Sequence, residues 1–410
     1  MQTIRKHVLF KYPDFLFYFL GRLISATGDK VFTIAMSVWI VSEGTAADKM
    51  HLGFLLAMNT LPVVLFGPFA GGLADRLNRK TCMLLADGMR FSILLVAFLL
   101  LINHRLGIAE MYVVCFSLAT FVPLFESAAG ASIAHLVDEQ DLTKAVALDG
   151  SVVSMSEIVG ASLGGILVAT VHFEGALAFN ALTFLGSFVL ISCIRRKLTA
   201  EGLHTRYLRE IYQGFGYLLS NRPIALLLLV FALLNFFTAP VFILIPFLVK
   251  YKLDLPVAHW VAAYETSLAL GAGITALFLS FIHTYTRIYL KMSLALCLFG
   301  TGYLLVGFSS VAWPICLFLL LVGAALAVVN TLALGLFQHT VPDAIKGRFF
   351  AMMTTVCFAA IPISYILTGY LSKHIAADHL FMINGLMIGV MGLILFMLPR
   401  AGDQIGVTDR

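Results

Sequence analysis

The strongest constraint on this chain is a succession of apolar runs, each about as long as a bilayer is thick. A helix needs roughly 20 mainly apolar residues to cross the hydrocarbon core. Twelve segments meet that requirement: 14–42, 51–73, 81–102, 110–133, 145–170, 175–194, 223–249, 258–282, 288–309, 313–336, 349–372 and 379–398. The runs are continuous and do not alternate with period two, which excludes a barrel of strands. Of the 410 residues 60% are apolar and 12% charged, whereas a soluble globular chain carries roughly 25% charged residues. These figures exclude a soluble enzyme, a nucleic-acid binder, a coiled coil and a disordered chain.

The expected fold class is an all-α integral membrane protein of twelve transmembrane helices in two pseudo-symmetric six-helix bundles. The expected division is a bundle at 1–194, a long polar and basic cytoplasmic loop at 195–222, and a second bundle at 223–410. Orientation follows from Lys and Arg, which accumulate in cytoplasmic loops. With the N-terminus inside, the inside segments hold 19 of the 27 Lys and Arg residues and the outside loops 5 (Lys49, Arg105, Lys250, Lys252, Lys373). Three more, Arg22, Lys30 and Arg90, fall at membrane depth. Both termini are therefore expected on the cytoplasmic side, and the net charge of +5 reads as topology. The first run follows basic residues as a signal peptide would, but Arg22, Asp29 and Lys30 interrupt it and no small-x-small cleavage site closes it. It reads as an uncleaved first span.

Six cysteines (Cys82, Cys115, Cys193, Cys297, Cys316, Cys357) lie singly in apolar segments with no CxxC spacing. They are expected to be small buried hydrophobes, with no metal centre, disulfide framework or cofactor. No GxxxxGK[ST] or HExxH pattern occurs, so neither nucleotide hydrolysis by a P-loop nor zinc-protease chemistry finds support.

The halves carry traces of a repeat. His135 to Leu148 reads HLVDEQDLTKAVAL; 204 residues later His339 to Met352 reads HTVPDAIKGRFFAM. Each stretch joins the fourth to the fifth span of its half, and a helix containing Gly and Ser follows. Duplicated halves are the architecture of many secondary transporters, whose substrate site lies near the midplane.

Between the second and third spans the chain reads Gly71-Gly-Leu-Ala-Asp75-Arg76-Leu-Asn78-Arg79-Lys80. This resembles the signature of the major facilitator superfamily at the same loop, with Asn78 where Gly is usual. Asn tolerates left-handed backbone angles, so the turn is expected to survive. A finer resemblance runs through Leu20-Gly21-Arg22-Leu23-Ile24-Ser25, Gly28-Asp29, Leu61-Pro62, Gly67-Pro68, Leu85-Ala86-Asp87 and Arg90. It is similar to the branch holding bacterial enterobactin exporters and macrolide efflux pumps. The resemblance implies an inner gate at Gly71, Asp75, Arg76, Arg79, Lys80, Asp87 and Arg90, with Asp75 meeting a helix N-terminus and a basic side chain.

A charge in mid-membrane costs roughly 2.5–3.5 kcal/mol on insertion scales, so it pairs or lines a wet cavity. Arg22 and Asp29 are seven residues apart and share a helix face; Asp29 is the leading candidate for a functional acid, with a structural partnership to Arg22 as the simpler alternative. Glu126 and Glu157 on the fourth and fifth spans and Glu265 on the eighth complete the expected proton-coupling and cavity set. Asp87 and Arg90 are expected to form a local i, i+3 ion pair. Desolvation disfavours a carboxylate's charged form, which suits such a group to exchanging protons with the compartments it alternately faces. With the acids concentrated in the first half, coupling is expected there. Asn235, Phe236, Phe237, Tyr264, Asn330, Phe358 and Tyr365 are candidate cargo contacts.

The expected protein is a secondary active transporter of the cell membrane, not an enzyme, working by alternating access. By the resemblance it exports a siderophore or macrolide-like amphipathic small molecule in exchange for protons, as a monomer with no nucleic-acid partner. An importer or lysophospholipid translocase on the same fold, or a non-transporting sensor or scaffold, are the alternatives.

Overall fold

The computed structural model describes residues 8–43, 48–74, 76–198, 222–280, 287–341 and 343–397; Asp75 lies outside them. Among the described residues there are helices and turns and no strand. Fourteen α-helices follow in chain order: α1 (Val8–Lys11), α2 (Pro13–Glu43), α3 (Asp48–Ala74), α4 (Arg79–Ile102), α5 (Ile108–Thr120), α6 (Val122–Leu136), α7 (Leu142–Ser192), α8 (Arg222–Thr238), α9 (Val241–Phe247), α10 (Val257–Ser280), α11 (Ile288–Phe308), α12 (Ala312–Thr340), α13 (Asp343–Leu371) and α14 (Ala377–Met397).

Among the described residues, ten helical stretches are long and apolar enough to cross a membrane, where the sequence leads one to expect twelve. The expected fifth and sixth spans run together in α7, whose 51 residues are broken only by a kink at His172, in the left-handed region at φ 57°. The expected eleventh span lies within the 29 continuous helical residues of α13. Two spans are also subdivided. α5 gives way to α6 at Phe121, where Pro123 opens the new helix, as proline's fixed φ and missing N–H favour. α8 gives way to α9 at Ala239–Pro240. Pro240 has no N–H for the Phe236 carbonyl; Ser364 donates to it at 2.5 Å and the Tyr303 hydroxyl donates to the Thr238 carbonyl at 3.1 Å. Backbone polar groups in hydrocarbon must be satisfied inside the protein, and these two side chains do it.

The chain divides into two compact units. The first takes Met1–Tyr207 and Pro256–Thr266, the second Leu208–Leu255 and Ser267–Arg410. The first unit has a hydrophobic core that includes Phe15, Tyr18, Met83, Phe125, Leu136 and Ile191. Within the second unit, the Tyr303 ring lies tilted against Phe299 at 4.8 Å and edge to face against Phe381 at 5.2 Å, and Lys252 donates to the Gly307 carbonyl at 2.5 Å while meeting Asp378 at 3.5 Å. Of the six cysteines, Cys82, Cys115 and Cys357 are buried, but Cys193 is exposed, because it caps the end of α7 where the chain leaves the core.

Candidate functional site

Three basic side chains enter the apolar interior of the first unit, and each is met by carboxylates from other helices. Arg22 on α2 reaches Glu126 on α6 at 2.5 Å and also pairs with Asp149 on α7. The Tyr18 hydroxyl, one turn before Arg22, donates to Asp149 at 2.8 Å. Arg90 on α4 pairs with Asp29 on α2 at 3.0 Å, with its guanidinium over the Phe184 ring at 4.5 Å. Lys30 on α2 meets Glu157 on α7 at 2.6 Å and Glu265 on α10 at 2.9 Å.

The burial of these pairs is one-sided. The side chains of Arg22, Lys30 and Arg90 are 10%, 9% and 5% exposed, whereas Glu126, Glu157 and Asp29 are 49%, 43% and 42% exposed. The bases lie in the packing and the acids form the accessible face. Along α2, Arg22 and Lys30 are eight residues apart, about 12 Å at 1.5 Å per residue, so the three pairs line one stretch of helix. With Asp149 and Glu265, and with Asp87, which Ser187 holds, six carboxylates stand in this interior against three cations. Glu265 is sealed and belongs to the same unit, because the opening half of α10 lies in the first unit.

Two expected pairings are corrected. Asp87 and Arg90 do not bind each other. Asp87 is fully buried and accepts from Ser187 at 2.6 Å, while Arg90 extends to Asp29. Nor is Asp29 the partner of Arg22: two turns separate them by about 10 Å along the axis, and acids on α6 and α7 lie closer to Arg22. Sequence reasoning flagged Lys30 as a charge at depth without giving it a role. It missed Asp149, Tyr18 and Ser187. Asp149 was detectable as an acid inside the apolar run 145–170.

At the gate motif, Asn78 is in extended backbone (φ −63°, ψ 119°) and its side chain accepts from the Lys80 N–H. It acts as an N-cap of α4 and not as a left-handed residue, which corrects the expectation for this position and gives Asn there its own reason. Arg79 donates to the Ala131 carbonyl at 2.8 Å and meets His135 at 3.0 Å. Lys80 donates to the carbonyls of Ser192 and Ile194 at 2.8 and 2.7 Å, where α7 ends and a cation is favoured. Arg76 is exposed in the turn and Gly71 sits in the last turns of α3. The gate role expected of Asp75 lies outside the described residues.

Of the candidate cargo contacts, Asn330 and Phe358 are exposed, and Phe236 and Phe237 meet edge to face at 5.2 Å. Asn235 donates back to the Phe231 carbonyl of its own helix at 3.0 Å. Tyr264 and Tyr365 are buried.

A second polar cluster lies outside the spanning segments. The 3-10 turn Glu139–Asp141 joins α6 to α7. Asp141 accepts from Lys11 at 2.7 Å, Tyr12 at 3.1 Å and Lys144 at 3.1 Å, and Asp14 accepts the backbone N–H groups of Arg195 and Arg196 at 3.1 and 3.0 Å. The hydrogen bond from Lys11, then that from Lys144, pulls the Asp141 carboxyl down to about 2 from an ordinary 3.8. A depressed acid stabilises the fold above its unfolded pKa and loses that contribution as pH falls through the folded value. Thermal melts between pH 4 and pH 2 should therefore show a steeper loss in the wild type than in Asp141→Asn. Parallel curves would show that the cluster contributes nothing to acid stability.

A family profile described as transmembrane secretion effector matches residues 9–406. Macrolide efflux protein A of Streptococcus pyogenes is 24% identical over 384 residues, covering 92% of this chain and 94% of that one. The uncharacterized MFS-type transporter YfiS of Bacillus subtilis (strain 168) is 26% identical over 407 residues, covering 94% and 93%. Among solved structures, a point mutant of the nucleoside transporter NupG superposes with a TM-score of 0.77 at 13% identity, over 94% of this chain and 99% of that one.

Proposed function

Since the chain belongs to the transmembrane secretion effector family of the major facilitator superfamily, and so is a multi-span membrane transporter and not an enzyme, we propose that it exports an amphipathic, amine-bearing small molecule in exchange for protons by alternating access. The observation carrying this reading is the one-sided burial at α2. Three bases are sealed and three acids are open, and six carboxylates stand in this interior against three cations. Full ionisation would leave a surplus of three negative charges at a depth where each unpaired charge costs roughly 2.5–3.5 kcal/mol. Protons or a cationic cargo remove that surplus, and competition between the two is the logic of antiport.

The efflux relative supports the outward direction, and its macrolide class fits an acidic surface where the molecule carries a protonated amine. The Lys and Arg bias supports cytoplasmic termini. Twelve spans follow if α7 is counted as two crossings and α13 as one. On that count the bundles are 1–194 and 223–410, joined by the loop 195–222. Gly71, Asp75, Arg76, Arg79 and Lys80 form the inner gate in this reading, and Asn235, Phe236, Phe237, Asn330 and Phe358 offer cargo contacts.

The test is uptake of erythromycin, a cationic macrolide, into inverted proteoliposomes under an imposed proton gradient. Wild-type protein should accumulate it, and Asp29→Asn should lose about tenfold of the gradient-dependent part, a coupling well within the usual 1–3 kcal/mol. Accumulation that survives an uncoupler would remove protons from the account.

A further inference from the structure

Two stretches rich in Lys and Arg meet at the corner of the first unit where α3 turns into α4 and α7 ends. The backbone N–H of Arg79 donates to the Leu198 carbonyl at 3.0 Å, and the Lys80 ammonium holds the carbonyls of Ser192 and Ile194. These contacts set residues 76–80 beside residues 195–197. Together the two stretches carry six bases: Arg76, Arg79, Lys80, Arg195, Arg196 and Lys197. Arg79 and Lys80 direct their hydrogen bonds at carbonyls and a histidine, which carry no negative charge to cancel theirs. Asp14 accepts the backbone N–H groups of Arg195 and Arg196, and Asp138 stands 3.8 Å from Arg196. Even with Asp75 of the turn counted beside Asp14 and Asp138, three acids face six bases. Arg76, Arg195 and Lys197 are exposed.

The apolar surroundings select the kind of anion. Leu73 and Leu77, on either side of Arg76 in the chain, are 44% and 43% exposed. Further along, α4 and α7 touch where Gly88 meets the Phe188 ring, which a Cβ on the glycine would contact at 3.6 Å. Within one turn of that contact, Leu85 and Met89 on α4 and Leu185 and Val189 on α7 are exposed. Both helices belong to membrane-crossing stretches. The bases therefore lie at the boundary where lipid headgroups sit, with exposed hydrocarbon running inward from them. A nucleic acid or an acidic peptide would satisfy the charge and leave the leucines bare; a lipid covers both.

We propose that this corner binds an anionic phospholipid, its phosphodiester against Arg76, Arg195 and Lys197 and an acyl chain along the seam of α4 and α7. Clusters of four to eight Lys and Arg beside a membrane helix attract such headgroups. The site is built to outlast a change of side chain, because Asp14 holds residues 195 and 196 through their backbone. The inference takes from the proposed function only the cytoplasmic leaflet, and the test does not use the leaflet, so the two readings stand or fall separately.

The test is lipid retention by the full chain, purified in detergent and read by native mass spectrometry. The micelles carry phosphatidylglycerol and phosphatidylcholine in equal amounts with matched acyl chains, so each sample reports a ratio. The parent should hold the anionic lipid in about tenfold excess or more, since each Lys or Arg near anionic headgroups contributes about fivefold. Arg195→Gln with Lys197→Gln should bring retention of the two lipids close to equal. Arg195→Lys with Lys197→Arg keeps the charge and should keep the preference. So should Arg105→Gln, which removes a charge beyond the other end of α4. Glycerol phosphate at the same concentration has the phosphate without the acyl chains and should displace nothing. Equal retention by the parent, a preference that survives Arg195→Gln with Lys197→Gln, or displacement by glycerol phosphate or by a short DNA duplex overturns the proposal.

Discussion

Replacing Arg22 by methionine should destabilise the protein by about 3–5 kcal/mol, the usual consequence of stripping one partner from a buried ion pair. Arg22 is the shared counter-charge of Glu126 and Asp149. Without it, Asp149 and the Tyr18 hydroxyl that donates to it are left in a packed region, and the half-open Glu126 beside them loses its cation. The measurement is the melting temperature and folded fraction of purified protein. The decisive comparison is the triple variant Arg22→Met, Glu126→Gln, Asp149→Asn, which removes the orphaned charges as well. It should recover most of the loss, because well-packed neutral groups often replace buried ion pairs without penalty. A single variant as stable as the wild type would show that this cluster does not hold α2 to α6 and α7.

Gly160→Leu should also destabilise the protein, through a different cause. A Cβ at this position would lie 2.6 Å from the Lys30 Cβ and 2.9 Å from the Thr27 carbonyl oxygen. Neither atom is the free end of a side chain, so α2 and α7 must separate. Overpacking typically costs about 1–3 kcal/mol, and here the separation also moves Lys30 away from Glu157 and Glu265. Loss of stability together with loss of proton-gradient response is the expected result. Gly130 provides the contrast, since nothing lies within 4 Å of a Cβ there. Gly130→Ala should leave the protein unharmed, or gain the 0.5–1 kcal/mol or so that alanine brings to a helix. Equal damage at both sites would mean that contact at Gly160 is not the cause.

The membrane-spanning character was legible because hydrocarbon tolerates few charges, so every ionisable residue inside an apolar run stood out. Arg22, Asp29, Glu126, Glu157 and Glu265 were visible for that reason. Their pairings were not legible. Glu126 lies 104 residues from Arg22 and Asp149 lies 127, and that both meet Arg22 depends on how each helix is rotated about its axis. Helices apolar on nearly every face give no periodic signal of that rotation. The local rule that places residues i and i+3 together describes neighbours on a helix surface, and it led to Asp87–Arg90. The interior offered Asp87 a serine on α7 and Arg90 an acid on α2, and these stronger long-range contacts prevailed. At Asn78 the departure from the motif was visible, but its capping role follows from backbone angles that a sequence does not print.

The kink at His172 has a mechanical consequence. One left-handed residue is all that separates the two helical stretches of α7, so there is no slack between them. Lys80 grips the far end of the second stretch at Ser192 and Ile194, while Glu157 and Gly160 lie on the first. A displacement of the first stretch thus passes through a single non-helical residue before it reaches the turn beside α4. For the same reason His172 is a poor place to insert a reporter tag: added residues there would uncouple the two stretches.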